Sequence, residues 1–259
     1  MIVTLIQLIL SIIAGLAVGF TLGLIGGGGS ILAIPLLLYF VGIDNVHYAI
    51  GTTALAVGIN AYINFISHRR KNKLNVKAGT LFSIIGIVGV LIGSSIGLLT
   101  NSSSLLVLFS ILMVGIGIYM YIGKRNASKA HEKDNSGNIY PKVGLFSVLT
   151  GFASGFFGIG GGFLIVPALM YSAKLEINEA VGTSLLVVGT FGVVTAIRYG
   201  FSGHLLYTVS LFYIIGGVIG GVIGTRVSTS MEKNRLRRIF AVIVILVGFY
   251  VMAKTLLPT

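Results

Sequence analysis

Continuous apolar stretches recur along this chain. Each runs for about 18 residues or more, enough to cross a hydrocarbon core of about 30 Å as a helix. Strands of a membrane β-barrel would alternate polar and apolar residues in short segments, and these runs do not alternate. Of 259 residues, 55% are hydrophobic and 9% charged, against about 25% charged in a soluble domain. The mean hydropathy is +1.01. These features predict an all-α integral membrane protein, a polytopic helical bundle in the lipid bilayer. There are no cysteines, which excludes disulfides, thiol chemistry and thiolate-bound metal. The net charge of +12 suggests Lys and Arg gathered in cytoplasmic loops rather than nucleic-acid binding. The opening "MIVTLIQLILSIIAGLAVGF" has no basic region of the kind a signal peptide carries, so cleavage is not expected.

Two glycine clusters interrupt the apolar pattern. "FTLGLIGGGGSILAIPLLLY" occupies residues 20–39, and "FASGFFGIGGGFLIVPALMY" occupies residues 152–171. With Pro35 placed over Pro167, Phe20 meets Phe152, Gly23 meets Gly155, Gly26 meets Gly158, Gly28 meets Gly160 and Gly29 meets Gly161. The likeness continues: "AIGTTAL" (49–55) matches "AVGTSLL" (180–186), and Gly89, Gly93 and Gly97 match Gly216, Gly220 and Gly224. The chain therefore reads as two copies of one unit: a first repeat over 1–122, a basic linker over 123–142 and a second repeat over 143–259. Each repeat is predicted to begin with a glycine-interrupted segment, 3–41 or 143–173. Three spanning helices follow, over 46–66, 77–98 and 104–122 and then over 178–199, 205–225 and 236–254.

Charge sets the topology. The loop at 68–77 carries Arg69, Arg70, Lys71, Lys73 and Lys77, while its counterpart at 200–204 has neither Lys nor Arg. The loop at 99–103 is uncharged, while its counterpart at 226–238 carries Arg226, Lys233, Arg235, Arg237 and Arg238. A basic loop that changes position between copies indicates inverted repeats. Inversion puts 16 of the 18 basic residues on the cytoplasmic side, leaving Arg198 and Lys254 outside. It requires each glycine segment to return to the side it entered, as a hairpin of broken helices tipped by glycine. Both termini are then expected outside, with 68–77, 123–142 and 226–238 cytoplasmic.

The arms after the glycines, 30–40 and 162–171, are half-helices of about 11 residues that reach about halfway across the core. Irregular backbone at that depth is tolerated where it is buried in protein or lines a cavity. Glycine permits the turn, and a helix N-terminus presents N–H groups and about half a positive charge. Two such tips make an anion site without Lys or Arg, near the midplane where inverted-repeat transporters bind substrate. The candidate substrate-binding residues are Gly26, Gly27, Gly28, Gly29 and Ser30 in the first turn and Gly158, Gly160, Gly161 and Gly162 in the second. Thr52, Thr53, Thr183 and Ser184 add hydroxyls beside them, and Asn60 and Asn64 lie one helical turn apart deeper in the same helix. For the hydroxyls the competing role is a bond back to their own helix; for the asparagines it is interhelical bonding. Gly86, Gly89, Gly93, Gly97, Gly216, Gly220 and Gly224 are read as helix-packing residues. Arg198 either steers anions at the outer mouth or snorkels to the interface. His47 and Asp44 have a chance spacing with no further metal ligand nearby, and His68 is assigned to the basic loop.

The six acidic residues, Asp44, Glu132, Asp134, Glu176, Glu179 and Glu232, all fall in loops or at helix ends. Cation sites and carboxylate relays lack their usual residues, so a metal or cation permease is disfavoured. No acid–base pair, triad or metal cluster indicates an enzyme, and no metal or cofactor is expected.

"GLIGGGGSILAIPLL" and "GFFGIGGGFLIVPAL", followed by "HYAIGTTAL" and "NEAVGTSLL", resemble the TauE/SafE family of sulfite and organosulfonate exporters, over both halves. The resemblance implies a bacterial or archaeal inner-membrane permease for a small sulfur-containing anion such as sulfite, a sulfonate or thiosulfate. By position, the glycine turns and the threonine-bearing helix starts would form its site. Ile159 stands where the first copy has Gly27, and Asn178 where it has His47, so the half-sites differ chemically. The expectation is a secondary transporter, an exporter by resemblance, working by alternating access. The alternatives are an anion channel using the same site, or a membrane scaffold whose glycines only pack. Homo-oligomerisation is left open.

Overall fold

The computed structural model describes residues 3–69, 74–122, 139–158, 160, 162–227 and 233–256. All regular structure among these residues is helical. Helix α1 (Leu5–Ile25) runs into a bent arm, made of a 3-10 turn (Gly26–Leu32), the single turn α2 (Ala33–Pro35) and a π turn (Leu36–Phe40). Then come α3 (Val46–Arg69), α4 (Val76–Leu99) and α5 (Ser102–Ile122). The second half repeats the series: α6 (Ile139–Phe157), the arm α7 (Gly162–Ser172), α8 (Ile177–Phe201), α9 (Tyr207–Val227) and α10 (Lys233–Leu256). Seven described segments are long and apolar enough to cross a membrane, and residues 142–157 and 162–172 are shorter apolar helices. The chain is an all-α polytopic membrane protein. Helix α6 begins at Ile139, inside the stretch read as linker; 123–138 lie outside the described residues.

The first arm differs from a loop followed by a half-helix. The tetraglycine is itself helical, and of its four residues only Gly26 has positive φ, at 74°. The reversal out of α1 is concentrated at that residue. In the second arm two described glycines, Gly158 and Gly160, have positive φ, at 67° and 65°.

The tightest helix pairs join the two halves: α1 packs on α9 and α6 on α4, while α3 pairs with α8 and α5 with α10. The glycines spaced by four make these approaches. A Cβ on Gly19 would overlap the backbone of Gly217, and one on Gly216, Gly220 or Gly224 the carbonyls of Ile12, Leu16 or Phe20. The counterpart interface repeats this, with Gly89 against Val148, Gly93 against Phe152, and Gly151 and Gly155 against Gly86 and Val90. Backbones in van der Waals contact exclude side chains, so these positions are packing sites.

The contacts also give direction. Along α1, Gly15, Gly19 and Gly23 meet Tyr213, Gly217 and Gly221 in ascending order, so α1 and α9 run parallel. Along α3, Gly51, Gly58 and Tyr62 meet Tyr199, Gly192 and Gly189, so α3 and α8 run antiparallel. Since α9 turns back on α8, helices α1 and α3 point the same way. The arm 26–40 must therefore bring the chain back to the end where α1 began. The side chain of Gln7, in the first turn of α1, donates through Nε2 to the Gly42 carbonyl at 3.0 Å, which closes that hairpin.

Candidate functional site

The two glycine turns meet in the bundle. A Cβ on Gly27 would overlap the Gly162 backbone, and one on Gly162 would overlap Gly27. The four glycines have four different surroundings. Gly26 needs its positive φ. Gly27 makes the crossing, and Gly29 lies on the backbone of Thr21 and Leu22 in α1. At Gly28 a Cβ would meet only the Ile25 side chain, at 3.3 Å. Gly28 is buried, yet neither packing nor φ demands glycine there. In the second turn, a Cβ on Gly158 would overlap Ile50 of α3, and one on Gly160 would approach Val188 of α8. Gly161 and Ile159 lie outside the described residues.

Hydroxyls from both halves tie the crossing together. Ser184 Oγ accepts the Gly27 N–H at 3.4 Å and donates to the Val181 carbonyl at 2.7 Å. Ser30 Oγ donates to the Gly27 carbonyl at 2.9 Å. Thr53 Oγ1 donates to the Ala49 carbonyl at 2.7 Å, the bond back to its own helix. Thr52 and Thr183, counterparts in the repeat, act alike. Thr52 Oγ1 accepts the Leu206 N–H at 3.1 Å, and Thr183 Oγ1 accepts the Asn75 N–H at 3.1 Å. Leu206 and Asn75 immediately precede α9 and α4, so each hydroxyl satisfies a backbone donor ahead of a helix of the opposite half.

The asparagines lie away from these turns, on the face of α3 toward α9. Asn64 Nδ2 donates to the Asn60 carbonyl at 2.9 Å, and Thr225 Oγ1 of α9 lies 3.4 Å from Asn64 Oδ1. Gly217 and Gly221 let α9 close on both amides. Asn60 Oδ1 is buried with no hydrogen-bond partner. His68 belongs to the same face. Contrary to its assignment to the basic loop, it is buried in the last turn of α3 at 5% exposure. Its Nε2 lies 3.3 Å from the Gly23 carbonyl at the end of α1. The spacing 60, 64, 68 was the available signal, since residues four apart share a helix face; Thr225 had no comparable signal.

Arg198 sits at the opposite end of α3 and α8. Its guanidinium donates to Ser95 Oγ at 3.3 Å and Ser202 Oγ at 3.0 Å. His47 and His204 lie at the same end, ring centroids 5.6 Å apart. Lys254 is also there, 5.0 Å over the ring of Tyr39. Arg69, Lys77, Lys142, Lys174, Arg226 and Arg238 lie at the other end. Among the described residues no cluster of three or more His, Cys, Asp or Glu is placed to hold a metal. The crossing is built from backbone and hydroxyls, groups that recognise an oxyanion without a formal charge.

The bundle, with two glycine-tipped arms that meet between its halves, is that of a membrane transporter, a class that acts on a small molecule in a lipid environment. The Sulfite exporter TauE/SafE profile matches residues 11–251, and the chain belongs to that family. A "Probable membrane transporter protein" of Xylella fastidiosa (strain Temecula1) is 45% identical over 251 residues, covering 96% of each chain. "Probable membrane transporter protein MJ0441" of Methanocaldococcus jannaschii is 30% identical, covering 94% of each. "Probable membrane transporter protein YunE" of Bacillus subtilis is 27% identical, covering 93% of this chain and 95% of its own. No solved structure matches the chain.

Proposed function

We propose that this protein is a secondary transporter, in the exporting direction, for a small sulfur-containing anion such as sulfite, a sulfonate or thiosulfate. The anion is held where the two glycine turns cross, by backbone N–H groups and by the hydroxyls of Ser30 and Ser184, which turn from the Gly27 and Val181 carbonyls to donate to it. The observation that carries this reading is the position of Gly28. It is the tetraglycine residue that packing and φ leave unexplained, and it stands beside the Gly27–Gly162 contact. A Cβ there would meet one side chain only, Ile25, which makes this the least confined of the four positions.

The two halves, 1–122 and 143–259, are inserted in opposite orientation. The parallel run of α1 with α9 and the antiparallel run of α3 with α8 are the relations a twofold axis in the membrane plane generates. The end rich in Lys and Arg faces the cytoplasm of an inner-membrane protein, and both termini lie outside. The moving bodies follow packing rather than chain order. Rocking one repeat against the other would break the α1–α9 and α4–α6 backbone contacts. Those pairs instead move as units, and the crossing opens where Gly27 leaves Gly162.

The test is transport in proteoliposomes with sulfite, thiosulfate, sulfoacetate and sulfate as substrates and competitors. Saturable flux of a sulfur anion with counterflow is expected; flux without counterflow indicates a channel. Failure to bind or move any of the four would overturn the reading.

A further inference from the structure

We propose that His68 is a proton-binding site coupled to the anion, so that each ligand strengthens binding of the other. This rests on the anion reading above. Among the described residues, His68 is the one Asp, Glu, His, Lys or Arg side chain that is buried. Histidine is the side chain whose charge changes between about pH 5 and 8. A buried ionisable group in a membrane bundle is a functional candidate by default.

Its placement links it to the first glycine turn. His68 Nε2 faces the Gly23 carbonyl, and Gly23 belongs to the last turn of α1, three residues before Gly26. The C-terminal carbonyls of a helix carry partial negative charge. A proton on the ring adds attraction to that helix end and to an anion held at the next turn. Among the described residues, the charged groups at this end of the elements packed on α3 are Arg226 of α9 and Glu179 of α8, with Arg69 of α3 itself; both arginines are exposed and Glu179 half-buried. Along its own face, His68 continues the Asn60–Asn64 ladder bonded to Thr225. Protonation thus acts on the helix that carries the glycine turn and on its contact with α9. The step is a proton association: neutral imidazole and a proton give imidazolium as the anion binds, and the imidazolium returns its proton to water as the anion leaves. By linkage, a factor gained by the anion from the proton equals that gained by the proton from the anion.

The test measures anion binding to the purified full-length protein in nanodiscs, with thiosulfate and methanesulfonate as probes because neither titrates in the range. The wild type should bind more tightly as pH falls from about 8 to about 6, by up to tenfold per unit for one coupled proton. His68→Gln keeps an N–H donor toward Gly23 and should flatten the slope. His47→Gln and His204→Gln should retain it. A wild-type affinity independent of pH, or an unchanged slope in His68→Gln, would sink the proposal while leaving the anion site standing. Should His68→Gln not fold, the wild-type slope and its survival in the other two variants decide the matter: a slope lost with His47 or His204 contradicts the assignment. If no probe binds at any pH, the anion reading fails and the coupling falls with it.

Discussion

Gly27 and Gly162 stand backbone against backbone, one from each half of the chain, so that neither has room for a Cβ. Gly27→Ala and Gly162→Ala should therefore both push the arms apart and abolish anion flux. Gly28→Ala separates packing from binding. Its Cβ meets a single methyl of Ile25 at 3.3 Å, so the variant should fold and elute like the wild type. If Gly28 borders the substrate, thiosulfate affinity should drop at least tenfold. Wild-type affinity in Gly28→Ala would remove this residue from the site.

The paired threonines should show a common effect. Thr52→Val and Thr183→Val each leave a backbone N–H of the opposite half without its acceptor. The expected loss is about 1 kcal/mol apiece, within the range for side-chain bonds in membrane bundles. Thermal denaturation should register both, with Thr→Ser at either position close to wild type. A loss at one threonine only would contradict their equivalence.

Bulk on the α1–α9 and α4–α6 seams tests the assignment of the spaced glycines. Gly220→Leu and Gly93→Leu drive a side chain into the carbonyls of Leu16 and Phe152. Both should fail to yield monodisperse protein. Gly115→Leu, where nothing stands near the Cβ, should be tolerated and serves as the control for composition.

Orientation has a direct measurement. Reporter fusions after Thr259 and within 123–142 should report opposite sides of the membrane, the second cytoplasmic. Reporters on the same side would reject the inverted arrangement.

The asparagine ladder predicts a graded response. Asn64→Leu removes the donor to the Asn60 carbonyl and the side-chain contact to Thr225 across the α3–α9 interface, leaving Thr225 Oγ1 its bond to the Gly221 carbonyl. It should destabilise the fold by about 1–3 kcal/mol, more than Asn64→Gln, as read by thermal denaturation. Equal stability of Asn64→Leu and wild type would show that the ladder is not structural.

Much of this architecture was legible because a membrane restricts what a sequence can do. Apolar runs have to become helices, since lipid offers no partner for an open backbone; the predicted spans over 46–66 and 178–199 appear as Val46–Arg69 and Ile177–Phe201. The spaced glycines announced close helix contact, and the backbone contacts of Gly93 and Gly220 are of that kind. What the sequence alone determined was thus set by local rules: solvent, periodicity and charge. The tertiary structure decided which partner each group meets. It separated four adjacent glycines into a turn, a crossing, an open position and a helix contact, although they are chemically identical. It drew His68 out of a basic segment and buried it against Gly23, and gave Thr52 and Thr183 to backbone donors more than 100 positions away. Those outcomes depend on how two interlocked halves approach one another, and no local preference encodes a distance between segments that meet only after both have folded.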